Sequence, residues 1–385
     1  MIMGNVKQYY IQNKKFCKAV IIMTVLIVCT YLLSLLSVWS DFYTDHIYTF
    51  IRDPISHIVE HLHFALGEML MYLWAAVMIM AVVFLILLIF LRKRNGYIAF
   101  VSVYFKSLII LILIILLIYS TQWLAPYRSS VLGKKTFAER EYSAEELSTL
   151  YLYIVDNINK ECGSVLRDEN GNVIYDSKEA TEQKVSVAMN GISNEYKRLN
   201  GYYPTIKAAW CSDVLDWMGI GGYTYPYTME VTYNKYVNRF YFPTLYAHES
   251  SHHMGYYKEH EANFLSYLAC SNSDDHLLRY SAYYYMLRYV KNAYYQECLA
   301  SDNKDLYLLD VKEHPLLPQV ITDVNNANKE AEALYLQDEH LLEDYADEAA
   351  EISEVGWDTQ SQILKEYDYD NVVYLLLQYY DGKLY

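Results

Sequence analysis

Two histidines four residues apart, with a glutamate beside the first, are the residues of this chain best suited to chemistry: His248-Glu249-Ser250-Ser251-His252. Positions i and i+4 share one face of a helix, so both imidazoles can reach one divalent ion. Glu249 lies about 100° around the axis, where a carboxylate can take a proton from a metal-activated water. This is the H-E-x-x-H arrangement of zinc hydrolases. It requires a helix, and the flanking residues predict one: Pro243 falls in a first turn beginning near Phe242, and Gly255 supplies the stop.

A catalytic zinc takes a third protein ligand and keeps one position open for water. Gly255 is placed as in H-E-x-x-H-x-x-G-x-x-H, but Lys258 stands where that pattern has its third histidine, which excludes the three-histidine class. In the gluzincin pattern a Glu from the following helix completes the site, and an Asp or Asn four residues later holds a ligand histidine. Glu259 and Asn263 have that spacing; Glu261, two residues on and pointing to another side of the helix, is the rival ligand. His253 and His260 read as solvated helix-surface histidines. Arg279 and Tyr280, on the helix after the site, are candidate oxyanion stabilisers, against the plainer reading of a salt bridge and a core tyrosine. A strand expected at Thr228–Tyr233 is the candidate to line the cleft and pair with an extended peptide. A second pattern, His57-Ile58-Val59-Glu60-His61, has the inverted order H-x-x-E-H. There Ile51, Ile55, Ile58, Leu62 and Leu66 recur at near-helical spacing, which describes an amphipathic helix at a membrane surface better than a metal site.

The elements that must carry this site follow from the distribution of charge and apolar residues. The chain has 385 residues and a formal net charge of −15, with 31 Lys+Arg against 46 Asp+Glu, which excludes a nucleic-acid partner. Three long apolar runs crowd its first third: 19–39, 69–91 and 107–124. The first two carry no charge and are long enough to cross a hydrocarbon core, and the third follows Lys106, whose stem can reach back to the headgroups. No small-x-small cleavage site follows the first run, so it reads as a span and not a signal peptide. Lys7, Lys14, Lys15 and Lys18 precede span one, and Arg92, Lys93 and Arg94 separate spans two and three, whereas residues 40–68 are acidic. The N-terminus is therefore expected on the cytoplasmic side, with everything after Leu124 outside.

The expected division is a membrane region, 1–125, and a single extracytoplasmic domain, 126–385. The fold class is mainly α (α+β). A capping box at Ser143 and Glu146 opens a helix to about Cys162, Asn170-Gly171 reads as a hairpin turn, and helices are expected at Lys178–Leu199, Ala331–Ile352 and Asn371–Tyr380. Cys162, Cys211, Cys270 and Cys298 allow three disulfide pairings or free thiols. The 43 tyrosines follow no period and read as compositional bias, not as a carbohydrate surface.

The run from Gly201-Tyr202-Tyr203-Pro204 through Gly219-Ile220-Gly221-Gly222, Tyr225-Pro226-Tyr227-Thr228, His248-Glu249-x-x-His252 and Glu259-x-Glu261-Ala262-Asn263-Phe264 to Arg279-Tyr280-Ser281 resembles a bacterial family of membrane-anchored, zincin-like proteins of unknown function. The resemblance extends to the three spans and to a C-terminal segment with Gly356 and Asn371–Leu376. It implies a gluzincin-type zinc-peptidase-like fold and no particular substrate. Ser250-Ser251 departs from the apolar pair more usual in such relatives. Two functions are expected from these observations together. One is a membrane-tethered zinc metallopeptidase, with Zn2+ as cofactor, Glu249 as general base and a peptide or protein of the cell envelope as substrate. The other is a catalytically inactive ectodomain that binds an envelope partner.

Overall fold

The computed structural model describes residues 8–130, 132, 140–338, 340, 346, 350 and 370–385. The chain divides into two compact units. The first comprises residues 1–55, 66–130 and 226–229, and the second residues 56–65, 131–225 and 230–385. The boundary falls after Ser130, five residues beyond the expected one, and two short segments are exchanged between the units.

In the first unit, three helices are long and apolar enough to cross a membrane. They are α1 (Lys14–Ser34), α4 (Leu66–Leu91) and α5 (Asn95–Tyr119), the last running on through a π turn, Ser120–Leu124, to Tyr127. Between α1 and α4 come α2 (Ser37–His46) and α3 (Tyr48–Glu60). The first span ends five residues before its apolar run does: Leu36 adopts extended backbone, and Ser40 Oγ donates to the terminal carbonyl of Ser34 at 3.0 Å. The third begins twelve residues earlier than expected, because Lys106 is accommodated within the helix, its ammonium donating to Asn13 Oδ1 at 2.7 Å. Further polar contacts tie the helices, as a bilayer interior favours: Thr30 and Ser120 hydroxyls at 2.8 Å, and Tyr104 OH to the Val77 carbonyl at 2.5 Å.

The second unit is helical around a small sheet. Helix α6 (Ala144–Cys162) starts at the expected capping box, with Ser143 and Glu146 bonded reciprocally. Its buried stripe of Leu147, Leu150, Tyr151, Ile154, Val155 and Ile158 packs on α11 (His276–Ala300). Each such fully buried side chain contributes about 1.5–3 kcal/mol. The turn at Asn170-Gly171 is a three-residue loop, closed by an Asp168–Asn172 backbone pair, with Gly171 in the left-handed region at φ 82°. Helix α7 (Lys178–Gly191) stops short of the expected Leu199, which instead ends a 3-10 turn.

Strands β1 (Lys207–Ala208), β2 (Gly222–Tyr225) and β3 (Glu230–Tyr233) form a sheet in the order β1-β3-β2, β1 pairing parallel and β2 antiparallel to β3. A short helix, α8 (Ser212–Trp217), connects β1 to β2. The strand foreseen near Thr228–Tyr233 therefore exists, but it is central; the two edge strands are β1 and β2. Helices α9 (Phe242–His253), α10 (Glu259–Ser271), α12 (Lys304–Glu313), α13 (Pro318–Tyr335) and α14 (Asp370–Tyr380) complete the unit. Gly356 and most of 336–352 lie outside the described residues. All six cysteines are free thiols. Many tyrosines fill the core edge-to-face, such as Tyr280 against Phe240 at 4.8 Å, with their hydroxyls satisfied, as in the 2.8 Å Tyr267–Tyr380 pair.

Candidate metal centre

Helix α9 has Pro243 in its first turn and ends where Gly255 turns left-handed at φ 96°. Gly255 N–H then donates to the His252 carbonyl and Tyr256 N–H to that of Ser251, the paired bonds of a Schellman stop. This reversal carries the Tyr256 carbonyl back to His252, whose Nδ1 lies 2.8 Å from it. With Nδ1–H donating there, the Nε2 lone pair of His252 is left facing the site, an arrangement that orients metal-binding imidazoles.

His248, His252 and Glu259 converge, and theirs is the one such group of possible ligands among the described residues. The two Nε2 atoms are 3.1 Å apart, Glu259 Oε2 is 3.2 Å from His248 Nε2, and Glu259 Oε1 is 3.4 Å from His252 Nε2. For bonds of about 2.0–2.1 Å, neighbouring ligand atoms of a tetrahedral zinc stand about 3.3 Å apart. The imidazole–imidazole separation, and the one that each Glu259 oxygen makes with its nearer imidazole, are close to that edge, and two imidazoles with a carboxylate are a donor set zinc accepts.

Glu249 is on the same helix, 3% exposed, against strand β2. Thr224 Oγ1 donates to the Glu249 backbone carbonyl at 2.8 Å and lies 3.2 Å from Oε2. Gly222, two residues earlier and so on the same strand face, leaves room for the carboxylate: a Cβ there would meet Glu249 Cγ and Oε1 at 3.1 Å and the Thr232 carbonyl at 2.6 Å. Burial raises the Glu249 carboxyl above its ordinary range, against the pull of the two imidazoles. Burial opposes charge on His252, but the Glu259 carboxylate outweighs it and lifts the imidazole to about 9. Glu259 is held well below its usual range by both histidines, despite its own desolvation.

A family described as "Protein of unknown function (DUF3810)" matches residues 43–359. The chain belongs to that family. No curated protein and no solved structure matches it significantly.

Of the remaining sequence candidates, several stand elsewhere. Glu261 is buried and accepts from the Leu132 N–H at 2.6 Å, so Glu259 and not Glu261 joins the histidines. Asn263 accepts a hydrogen bond from Tyr285 OH at 3.0 Å; the group found orienting His252 is instead the Tyr256 carbonyl. Arg279 is no oxyanion donor: it forks onto the buried Glu161 at 2.9 and 3.1 Å and donates to the Ser273 carbonyl. Tyr280 is fully buried and donates to Asp323 at 3.0 Å. His253 and His260 are buried, not solvated; burial drives the His260 imidazole down to about 4. Ser250 and Ser251 are buried too, Ser251 bonding back to the Ala247 carbonyl at 2.8 Å. His57 stacks on Tyr202 at 3.9 Å and takes no part in a metal group. Thr224, Gly222 and Tyr256 carry the site without having been singled out. The Gly-Gly pair at 221–222 was the only local sign, since a glycine in a strand marks a close approach.

Proposed function

We propose that this protein is a membrane-tethered zinc metallopeptidase whose second unit lies outside the cytoplasm, with the N-terminus inside. The observation that carries this reading is the convergence of His248, His252 and Glu259, with the two Nε2 atoms 3.1 Å apart and one Glu259 oxygen 3.2 Å from the first and the other 3.4 Å from the second, beside a buried glutamate. His248, His252 and Glu259 would hold the zinc, which would supply a Lewis acid for a carbonyl and a lowered water pKa of about 7. Glu249 is the general base, taking a proton from the attacking water and passing it to the leaving amine, and Thr224 positions its carboxylate. Gly222 keeps the strand close without displacing it. An extended peptide is added at the edge of β2, the edge strand that packs on the helix of Glu249, so that its scissile bond passes Glu249. A purely structural zinc has no use for a buried carboxylate at position 249. The topology is supported by the assignment of residues 56–65 and the C-terminal residues to one unit, as three crossings require.

The test is cleavage of a mixed peptide library by the full-length protein in nanodiscs, wild type against Glu249→Gln. Cleavage by the wild type alone, with zinc retained in both, supports the peptidase. Equal cleavage, or none despite full zinc occupancy, refutes it and leaves a partner-binding ectodomain.

A further inference from the structure

Lys207, on β1, has all three ammonium donors engaged. They reach the Val59 carbonyl at 2.9 Å, the Phe64 carbonyl at 3.1 Å and the Glu230 carboxylate at 2.7 Å. The first is in the last turn of α3, so the lysine caps that helix and fixes the chain as it leaves. Tyr202 strengthens the hold, with its ring on His57 and its hydroxyl bonded to Glu60, to which Thr205 also donates at 3.3 Å. Residues 56–65 are thus tied to the second unit by its own sheet.

Three residues after Lys207 comes Trp210, 60% exposed and, among the described residues of the second unit, the only large aromatic with a strongly exposed side chain. Its ring lies 6.3 Å from that of Phe64, tilted by 42°. Phe64 is two residues before Leu66, where the 26-residue apolar helix α4 begins. Two residues span at most about 7 Å, so chain connectivity alone holds Phe64 close to the membrane boundary. Tryptophan and its neighbours favour that boundary, where an apolar ring meets lipid and the indole N–H meets water. Aliphatic side chains alone would carry no such preference.

We propose that Phe64 and Trp210 form a lipid-facing edge of the second unit, seated in the headgroup region of the bilayer that α4 crosses. Lys207 is the residue that sets their spacing, by locking the α3–α4 connection to β1. The inference does not depend on zinc or on peptidase activity.

The experiment is tryptophan quenching in nanodiscs of phosphatidylcholine brominated near the carbonyl end of its acyl chains, using the full-length protein. The emission of Trp210 is taken as wild type minus Trp210→Phe. It should be quenched at least about twofold by brominated lipid and little by aqueous iodide. A reciprocal reporter, Phe64→Trp, should add emission with the same behaviour and covers the case in which Trp210→Phe fails to fold. Quenching by iodide but not by bromolipid would place the pair in water and overturn the proposal. Indifference to both quenchers would overturn it equally, in favour of a covering protein surface such as a second copy of the chain.

Discussion

The Thr224 hydroxyl donates to the backbone carbonyl of Glu249 at 2.8 Å and stands 3.2 Å from its carboxylate, joining the edge strand β2 to helix α9 through one side chain. Removing that hydroxyl should leave the metal ligands untouched while freeing the carboxylate. Thr224→Val is expected to keep zinc and lose about tenfold in kcat, the equivalent of one hydrogen bond of about 1.4 kcal/mol, and Thr224→Ser should restore it. Loss of zinc in Thr224→Val, or no rescue by Ser, would show that Thr224 does not act through Glu249.

Gly222→Ala drives a methyl group into the Thr232 carbonyl and the Glu249 side chain. Overpacking of this kind costs about 1–3 kcal/mol, so the thermal unfolding midpoint should fall and cleavage with it, while the zinc content stays near one per chain. A variant with wild-type unfolding and turnover would mean that β2 stands farther from Glu249.

The two carboxylates of α10 should separate cleanly. Glu259→Gln is expected to weaken zinc binding by at least about tenfold in a competition titration, whereas Glu261→Gln, which disturbs a backbone hydrogen bond to Leu132, should leave zinc affinity unchanged. The reverse ranking would exchange their roles.

Arg279 supports the fold and not the reaction. Truncating it leaves the buried Glu161 carboxylate with the exposed His276 imidazole, 2.7 Å away, and removes the charged fork, a loss of about 1.5–3 kcal/mol. Arg279→Ala should therefore unfold at a markedly lower temperature and, where still folded, turn over substrate as the wild type does. A kcat defect in the folded variant would return Arg279 to the site.

Asp323 gives stability a pH dependence. Burial alone would raise its carboxyl, but the Arg167 fork, Gln319 and Tyr280 outweigh that and hold it below the ordinary range. A folded pKa below the unfolded value means stabilisation that is complete at neutral pH and is lost as pH falls through the folded pKa. Unfolding midpoints measured from about pH 7 down to about pH 3 should fall more steeply for wild type than for Asp323→Asn, the two converging in acid. Parallel curves would remove Asp323 from the acid response.

What the sequence disclosed was local. The Ser143 capping box, the α9 helix between Pro243 and Gly255, and the convergence of His248, His252 and Glu259 all follow from spacing along a single helix or an adjacent pair. What it left open concerns partners far away in the chain. Arg279 meets Glu161 across 118 positions, and no periodicity encodes that pairing. The strand order places β3 centrally because the two-residue β1 joins it from outside, a contact with no local signature. Apolarity continued through Leu35 and Leu36, so hydropathy alone missed the break that ends the first span. The Tyr256 carbonyl was hidden for another reason: main-chain groups are the same at every position, and only the Gly255 turn directs this one at His252.

The most direct test of the metal centre is zinc K-edge absorption of the full-length protein, with metal content measured on the same sample. The account predicts one zinc per chain in a shell of nitrogen and oxygen at about 2.0–2.1 Å, with two imidazoles, lost in His252→Ala. A shell containing sulfur at about 2.3 Å, or zinc retained in full by His252→Ala, would contradict it.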